Sequence, residues 1–118
     1  MRQITKNATN AFKANRKFCG ANTNVCIYSK GNAELLLHMN PIAKRYEGKV
    51  SISLSGWNTV TTRERLNGLL KVYGKSYGIA QRQGKACLVW YDGNKQHKKE
   101  IDEYSFYSLD QLDKMAGV

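Results

Sequence analysis

The 118-residue chain carries 19 Lys and Arg residues against nine Asp and Glu, which gives a formal net charge of +10, and 42% of its residues are hydrophobic. This length and hydrophobic content predict a single domain over residues 1–118, and the presence of only one proline argues against a disordered chain. No apolar run approaches the roughly 18 residues that a membrane-spanning helix needs, and the polar N-terminus lacks the apolar segment of a signal peptide. We therefore expect an intracellular protein without a membrane partner.

The charge is unevenly distributed along the chain. Residues 1–20 contain five bases and no acid, whereas the acidic C-terminal segment, residues 100–118, contains five acids and a single base, Lys114. A basic body of this kind favours a polyanionic partner, either nucleic acid or a nucleoprotein. The alternative is a basic protein whose charge serves only solubility.

The cysteines indicate neither disulfides nor a metal site. Cys19, Cys26 and Cys87 are odd in number, widely spaced and free of any Cys-x-x-Cys pattern. A zinc site would need His38 or His97 to join them from distant positions. We expect reduced thiols and no metal or cofactor.

Residues 3–18 have the pattern of a first amphipathic helix. Apolar side chains recur at helical spacing from Ile4 to Phe12, and Gly20 is suited to a left-handed cap after the helix. The opposite face is basic and carries no acid that would pair with the bases along the helix. That face is either solvated or a phosphate-binding surface formed by Lys6, Lys13, Arg16 and Lys17.

A series of short alternating segments follows, separated by turn residues. Apolar and polar side chains alternate most clearly from Val50 to Ser55, as in a half-buried strand. We read His38 as a sheet residue and Asn40-Pro41 as a break between two strands. The short loops favour antiparallel pairing. The predicted strands are residues 25–28, 34–39, 42–46, 50–55, 77–83 and 86–91, and residues 95–99 form a basic loop or strand end.

The central helix begins after Trp57. Thr61 and Glu64 form a Thr-x-x-Glu capping box, and Gly74 closes the helix after a leucine stripe. Glycine within a helix costs about 1 kcal/mol relative to alanine, so Gly68 indicates the close approach of another backbone. Trp57 is interpreted as a lid over the core in preference to a ligand platform.

Polar residues with binding potential lie on the central helix and the hairpin after it. Arg63, Asn67 and Lys71 share the exposed face of the helix, and Arg82 and Lys85 extend the basic surface. Ser108 and Gln111 repeat the capping-box pattern before a short last helix. The predicted fold class is α+β, with an antiparallel sheet of about five or six short strands, two main helices and a short C-terminal helix.

One stretch is specific enough to suggest a family. The segments Ile42-Ala43-Lys44 and Gly56-Trp57 to Leu69, with the motif Gly-Trp-x-Thr-x-Thr-Thr-x-x-Arg-Leu-Asn-Gly-Leu, resemble a family of small uncharacterised bacteriophage proteins. The resemblance covers roughly residues 3–70. It implies a phage origin and expression in the cytoplasm of a host bacterium, and it implies no activity or functional residue.

The motifs in the sequence favour a binding protein over an enzyme. Paired carboxylates on one element, a glycine-rich phosphate loop and a nucleophile with an evident base are all missing, so we expect no enzyme. The first hypothesis is a protein that binds nucleic acid or a nucleoprotein through a dispersed Lys/Arg surface. Its predicted residues are Lys6, Lys13, Arg16, Lys17, Arg63, Asn67, Lys71, Arg82 and Lys85. The alternatives are a phage effector that inhibits a host enzyme or defence complex by protein–protein binding, and a minor virion component.

Overall fold

A computed structural model describes residues Met1–Val118 and contains three helices and nine strands. The helices are α1 (Gln3–Lys13), α2 (Val60–Val72) and α3 (Leu109–Met115). The strands are β1 (Phe18–Cys19), β2 (Thr23–Ile27), β3 (Ala33–Leu37), β4 (Asn40–Tyr46), β5 (Lys49–Ile52), β6 (Gly78–Arg82), β7 (Lys85–Asp92), β8 (Lys95–Glu100) and β9 (Tyr107–Ser108). The α+β class, with two main helices and a short C-terminal helix, is confirmed.

The strands form two antiparallel sheets. The first sheet has the order β1-β2-β3-β4-β5-β9, and the second has the order β6-β7-β8. The antiparallel pairing is confirmed, whereas the division into two sheets was not predicted. The basic segment after residue 94 is a complete edge strand, β8.

A cluster of 22 buried hydrophobic residues includes side chains of both sheets. Val25 and Leu35 of the first sheet are buried in it, as are Ile79 and Leu88 of the second. Helix α1 packs against β2 and β3, while α2 contacts α1, β4 and β6. Helix α2 therefore lies where the two sheets meet. No helix is both long and apolar enough to cross a membrane.

Helix α1 ends earlier than predicted. It stops at Lys13, because Asn15 takes a left-handed conformation with φ of 59° and ends the helical run. Asparagine tolerates this conformation better than most residues. The predicted cap, Gly20, does not have a positive φ and instead packs against Ile4 and Phe18. Phe18, which was assigned to the end of the helix, lies in the edge strand β1.

The turn between β3 and β4 also differs from the prediction. His38 and Met39, with φ of 49° and 65°, form a two-residue hairpin turn, so His38 is an exposed turn residue and not a sheet residue. Asn40 and Pro41 lie within β4 and do not break it. Pro41 fits because the β3–β4 register shifts beside its partner, Leu36.

The N-cap of helix α2 lies two residues before the predicted one. The Thr59 hydroxyl accepts a hydrogen bond from the Thr62 amide at 3.1 Å, so Thr59 is the N-cap and Thr61 is not. The predicted end is confirmed, since Gly74 follows the helix with φ of 74°. The capping box of α3, formed by Ser108 and Gln111, is confirmed as well.

Gly68 is the point at which α1 and α2 approach each other closely. A Cβ atom placed on Gly68 would lie 2.4 Å from Cγ2 of Thr5. The close approach was predicted, but the neighbour is a side chain of α1 and not another backbone. Packing therefore explains this glycine within a helix.

The Gly68→Ala variant is expected to be less stable by about 1–3 kcal/mol, because overpacking of the α1–α2 contact outweighs the better helix propensity of alanine. Urea unfolding measures this difference. The double variant Gly68→Ala/Thr5→Ser removes the clashing methyl group and keeps the hydroxyl, so it should recover most of the loss. A single variant as stable as the original chain would show that the two helices separate easily.

Candidate functional site

A buried arginine holds the start of α2 against α1 and β2. Arg65 is 1% exposed, and its guanidinium donates hydrogen bonds to the Thr23 hydroxyl at 3.0 Å and the Thr5 hydroxyl at 2.8 Å. It also contacts the Asn22 side-chain oxygen at 3.2 Å and forms an ion pair with Glu64. Buried charges are tolerated when they are paired and hydrogen-bonded in this way. This side chain is structural and is not available to a ligand.

Glu64 is the anionic member of this network. Burial alone would raise the pKa of its carboxyl group, but the hydrogen bonds from the Thr5 hydroxyl, the Arg2 amide and the Arg65 guanidinium lower the pKa below its usual value. Glu64 therefore stays ionised and balances the charge of Arg65. The sequence predicted that Glu64 takes part in capping α2, but the structure shows that it does not.

The groove between α2 and β6 collects three of the predicted basic residues. Arg63 and Lys71 line it from the helix and Arg82 lines it from the strand, around an open volume of about 580 Å³. We call this feature the basic groove. Its remaining lining residues are Met1, Val60, Glu64, Asn67, Gly68, Ile79, Ala80 and Gln81.

The guanidinium groups of the basic groove are held by neutral partners. Arg63 donates to the side-chain oxygens of Asn58 and Gln81, the latter at 3.1 Å. Arg82 donates to the Gln81 carbonyl at 3.0 Å and to the Gln96 side chain at 3.4 Å. These bonds orient the two arginines and leave their charge uncompensated.

Few bases in the molecule are neutralised by an acid. Only three of the 19 Lys and Arg side chains form ion pairs with a carboxylate, namely Arg65, Lys75 and Lys85. The acidic C-terminal segment supplies two of these partners: Asp113 contacts Lys75 at 3.0 Å and Glu100 contacts Lys85 at 3.6 Å. The Lys85–Glu100 pair is exposed and contributes little stability, whereas the Lys75–Asp113 pair is partly buried. Their main effect is to lower the positive charge locally, away from the basic groove.

Asn67 was expected on an exposed face, but it joins α2 to the second sheet. Its side-chain amide donates to the Ile79 carbonyl at 2.9 Å, and its side-chain oxygen accepts from the Ile79 amide at 2.7 Å. The side chain thereby occupies the place of a neighbouring strand at the edge of β6. This contact sets the width of the basic groove.

The Asn67→Ala variant is expected to lose about 1–3 kcal/mol of stability, because a backbone donor and a backbone acceptor of β6 lose their partner. Chemical denaturation provides the measurement. The matched control is Lys71→Ala on the same helix, which is exposed and should change stability by less than about 0.5 kcal/mol. Equal stabilities for the two variants would contradict the bridging role.

The remaining predicted bases lie outside the basic groove. Lys13 donates to the Val72 carbonyl at 2.9 Å and lies 5.5 Å from the Tyr73 ring centroid, and Lys6 is exposed two turns earlier on the same side of α1. Arg16 and Lys17 are exposed in the segment after α1. Lys85 lies directly across the β6–β7 hairpin from Arg82 but pairs with Glu100.

The open face of the second sheet continues from the basic groove. The register of β6, β7 and β8 places Arg82, Tyr91 and Lys98 on the same face. Tyr91 is 68% exposed, and its hydroxyl accepts a hydrogen bond from the Gln96 amide at 3.2 Å. A basic face with an exposed aromatic ring is suited to a nucleic-acid strand.

Trp57 does not cover the core as expected. Its side chain is 58% exposed and lies at a second cleft of about 320 Å³, on the other side of the start of α2. We call this feature the Trp57 cleft. The sequence offered no signal for this exposure. A tryptophan has a large apolar surface and is therefore expected to pack inward.

The structure shows no set of residues with the geometry of a metal site. No three His, Cys, Asp or Glu side chains lie close enough together to hold a metal ion. All three cysteines are free, and Cys87 is buried.

The chain matches the family model described as Kyanoviridae Gp96 protein over residues 1–112. This match confirms the resemblance to a family of bacteriophage proteins. It extends through the second hairpin and into α3, well beyond the residues that carry the resemblance in the sequence. No curated protein and no solved structure matches the chain.

Proposed function

The chain belongs to the Kyanoviridae Gp96 family of bacteriophage proteins, and we propose that it is a non-enzymatic protein that binds nucleic acid, or the nucleic acid of a nucleoprotein, through the basic groove. The host bacterial cytoplasm is the compartment in which such a phage protein meets its ligand. Arg63, Lys71 and Arg82 are the primary phosphate-binding residues in this proposal.

The observation that supports this proposal is the convergence of three unneutralised cations on one open groove. Their charges come from two different elements, a helix and a strand, which the Asn67 contact holds in fixed relation. The two arginines are already oriented by neutral partners, so less side-chain freedom is lost when a phosphate binds. A surface that merely confers solubility does not require this orientation.

The groove accounts for affinity and not for sequence recognition. Contacts from Lys and Arg to phosphates position a nucleic acid but carry no sequence information directly. We therefore expect binding that depends weakly on sequence and strongly on salt. Lys6 and Lys13 on α1 and the open face of the second sheet supply further positive charge beside the groove.

The test is a titration of labelled single-stranded DNA, single-stranded RNA and duplex DNA, each about 12 nucleotides or base pairs long, at about 50 and 200 mM salt. Three phosphate contacts predict a loss of affinity of about 15-fold or more over this salt range. Fluorescence anisotropy measures both affinities. If none of the three nucleic acids binds at the lower salt concentration, the proposal is wrong.

A second candidate function is an effector that inhibits a host enzyme or defence complex by protein–protein binding. The exposed apolar side chains of Met39, Trp57 and Tyr104 favour it, since aromatic and methionine side chains are enriched in the centres of interfaces. The ring of Tyr104 lies against Gly56, next to Trp57. A pull-down from host lysate before and after nuclease treatment separates the two functions, because only a direct protein partner survives the nuclease.

A further inference from the structure

The family-specific motif contains one large side chain that the fold does not use. Among its other distinctive residues, Gly56 has a positive φ and Thr59 caps α2. Arg65 forms the buried ion pair, Asn67 binds β6 and Gly68 packs against α1. Trp57 has no such role. More than half of its surface is exposed.

The Trp57 cleft has the composition of a binding site for a planar ring. Apolar contact is available from Leu37 and Ile42, and the indole of Trp57 forms part of the lining. Its polar lining residues are His38, Asn40, Thr59, Thr61 and Thr62. Clefts that bind small groups combine an apolar lining with a few polar side chains that fix orientation, and a volume of about 320 Å³ lies in their usual range.

The backbone at the rim of the cleft is strained. His38 and Met39 are the only consecutive non-glycine residues that both have a positive φ. The other left-handed turns in the chain include a glycine or occur at an isolated residue, whereas this turn places two bulky side chains in the unfavourable region. Strain of this kind tends to occur at ligand-binding sites, where it aims a side chain. His38, the first residue of this turn, lines the cleft.

The cleft and the basic groove share the first turns of α2. Thr59, Thr61 and Thr62 line the cleft, while Val60 and Arg63 line the groove. Only the start of the helix separates the two. A strand whose phosphates follow the groove therefore passes within reach of the cleft.

We infer that the Trp57 cleft binds one unpaired base of a single-stranded nucleic acid, stacked on the indole of Trp57, while the backbone of the strand follows the basic groove. The inference rests on the proposed function. Every base presents an aromatic face, so stacking of this type tolerates any sequence. His38, Asn40 and Thr61 supply donors and acceptors for the edge of the base. A paired base in a duplex does not enter the cleft, and the cleft therefore confers a preference for single strands.

The net charge of +10 and the neighbouring groove favour a nucleic acid over a protein as the occupant. An apolar peptide would fit Met39 and Trp57, but its side chains would offer no partner to the polar groups of His38 and Thr61. Such a peptide is the competing outcome of the test.

The experiment uses the full chain with Trp90→Phe, which leaves Trp57 as the only tryptophan. The fluorescence of Trp57 should be quenched by a single strand of about 12 nucleotides and not by the duplex of the same length. Trp57→Ala should weaken single-strand binding about 5- to 150-fold, which corresponds to about 1–3 kcal/mol for one stacked base, and leave duplex binding unchanged. Trp57→Phe should retain most of the affinity. Because Trp57 is exposed, the Trp57→Ala and Trp57→Phe variants should have the same urea midpoint as the chain from which each is made.

The outcomes separate the inference from the proposed function. If Trp57→Ala binds single strands as tightly as the original chain, the inference is wrong and the basic groove stands. An equal loss for single strands and duplexes also overturns it, since stacking of an unpaired base would not affect the duplex. Failure of the original chain to bind any nucleic acid refutes the proposed function itself, and a nuclease-resistant protein partner lost in Trp57→Ala would assign the cleft to that protein.

Discussion

Replacing Arg65 with methionine is expected to destabilise the protein by about 3 kcal/mol or more. Methionine fills much of the space, but it leaves the hydroxyls of Thr5 and Thr23 without a charged donor and removes the counter-ion of Glu64. Glu64 is partly solvated, so the cost lies at the lower end of the range for a broken buried ion pair. A domain of this size has only about 5–15 kcal/mol of stability in total.

Urea unfolding measures this loss, and two further variants identify its source. Lys71→Met removes the same charge from an exposed position of the same helix and should have an effect below about 0.5 kcal/mol. The double variant Arg65→Met/Glu64→Gln should recover part of the loss, because no unpaired carboxylate remains. If Arg65→Met and Lys71→Met are equally stable, the buried network does not hold the helices together.

Replacing the three cations of the basic groove, in the variant Arg63→Gln/Lys71→Gln/Arg82→Gln, is expected to reduce the affinity for single-stranded nucleic acid about 100-fold at about 100 mM salt. Each phosphate contact contributes about 0.7 to the salt dependence on a single strand, so three contacts contribute about two powers of ten at this concentration. Fluorescence anisotropy with the labelled oligonucleotide measures the change. The glutamines keep polar side chains at these positions, which preserves the fold while removing the charge.

The elements that depend on local sequence were predictable. Alternation from Val50 to Ser55 predicted a strand, which is present as β5 but ends at Ile52. Ser108 with Gln111 predicted the start of the last helix. Each signal lies within a few residues. Sheet membership was not predictable. The first sheet closes with β9, whose two residues pair with Ser51 and Ile52 from a distant part of the chain. No pattern in two residues specifies such a partner.

Arg65 shows why the buried network was missed. The leucine stripe of α2 indicated one buried face, and Arg65 lies at its flank. The helix is in fact enclosed by α1 on one side and β6 on the other, so a wider arc of its surface is buried than the stripe suggests. A charged side chain in that arc is explained only by its partners, Thr5 and Thr23, which come from α1 and β2.

The sequence predicted which types of residue form the candidate site, but not which of the predicted residues are free to bind a ligand. Sequence reasoning selected Arg63, Lys71 and Arg82, and the structure brings them to one groove. It also selected Asn67 and Lys85, which are engaged by Ile79 and Glu100. Whether a polar side chain is free or occupied depends on long-range contacts, which the sequence does not display.

The most direct test of the account is the salt dependence of oligonucleotide binding for three proteins. These are the original chain, the groove variant, and a control in which the exposed Lys30, Lys49 and Lys114, which do not line the groove, are replaced by glutamine. Both variants lose the same charge. The slope of log affinity against log salt is expected to become shallower by about 2 for the groove variant and to stay unchanged for the control. Equal changes in the two variants would show that net charge alone attracts the nucleic acid and that the basic groove is not its binding site.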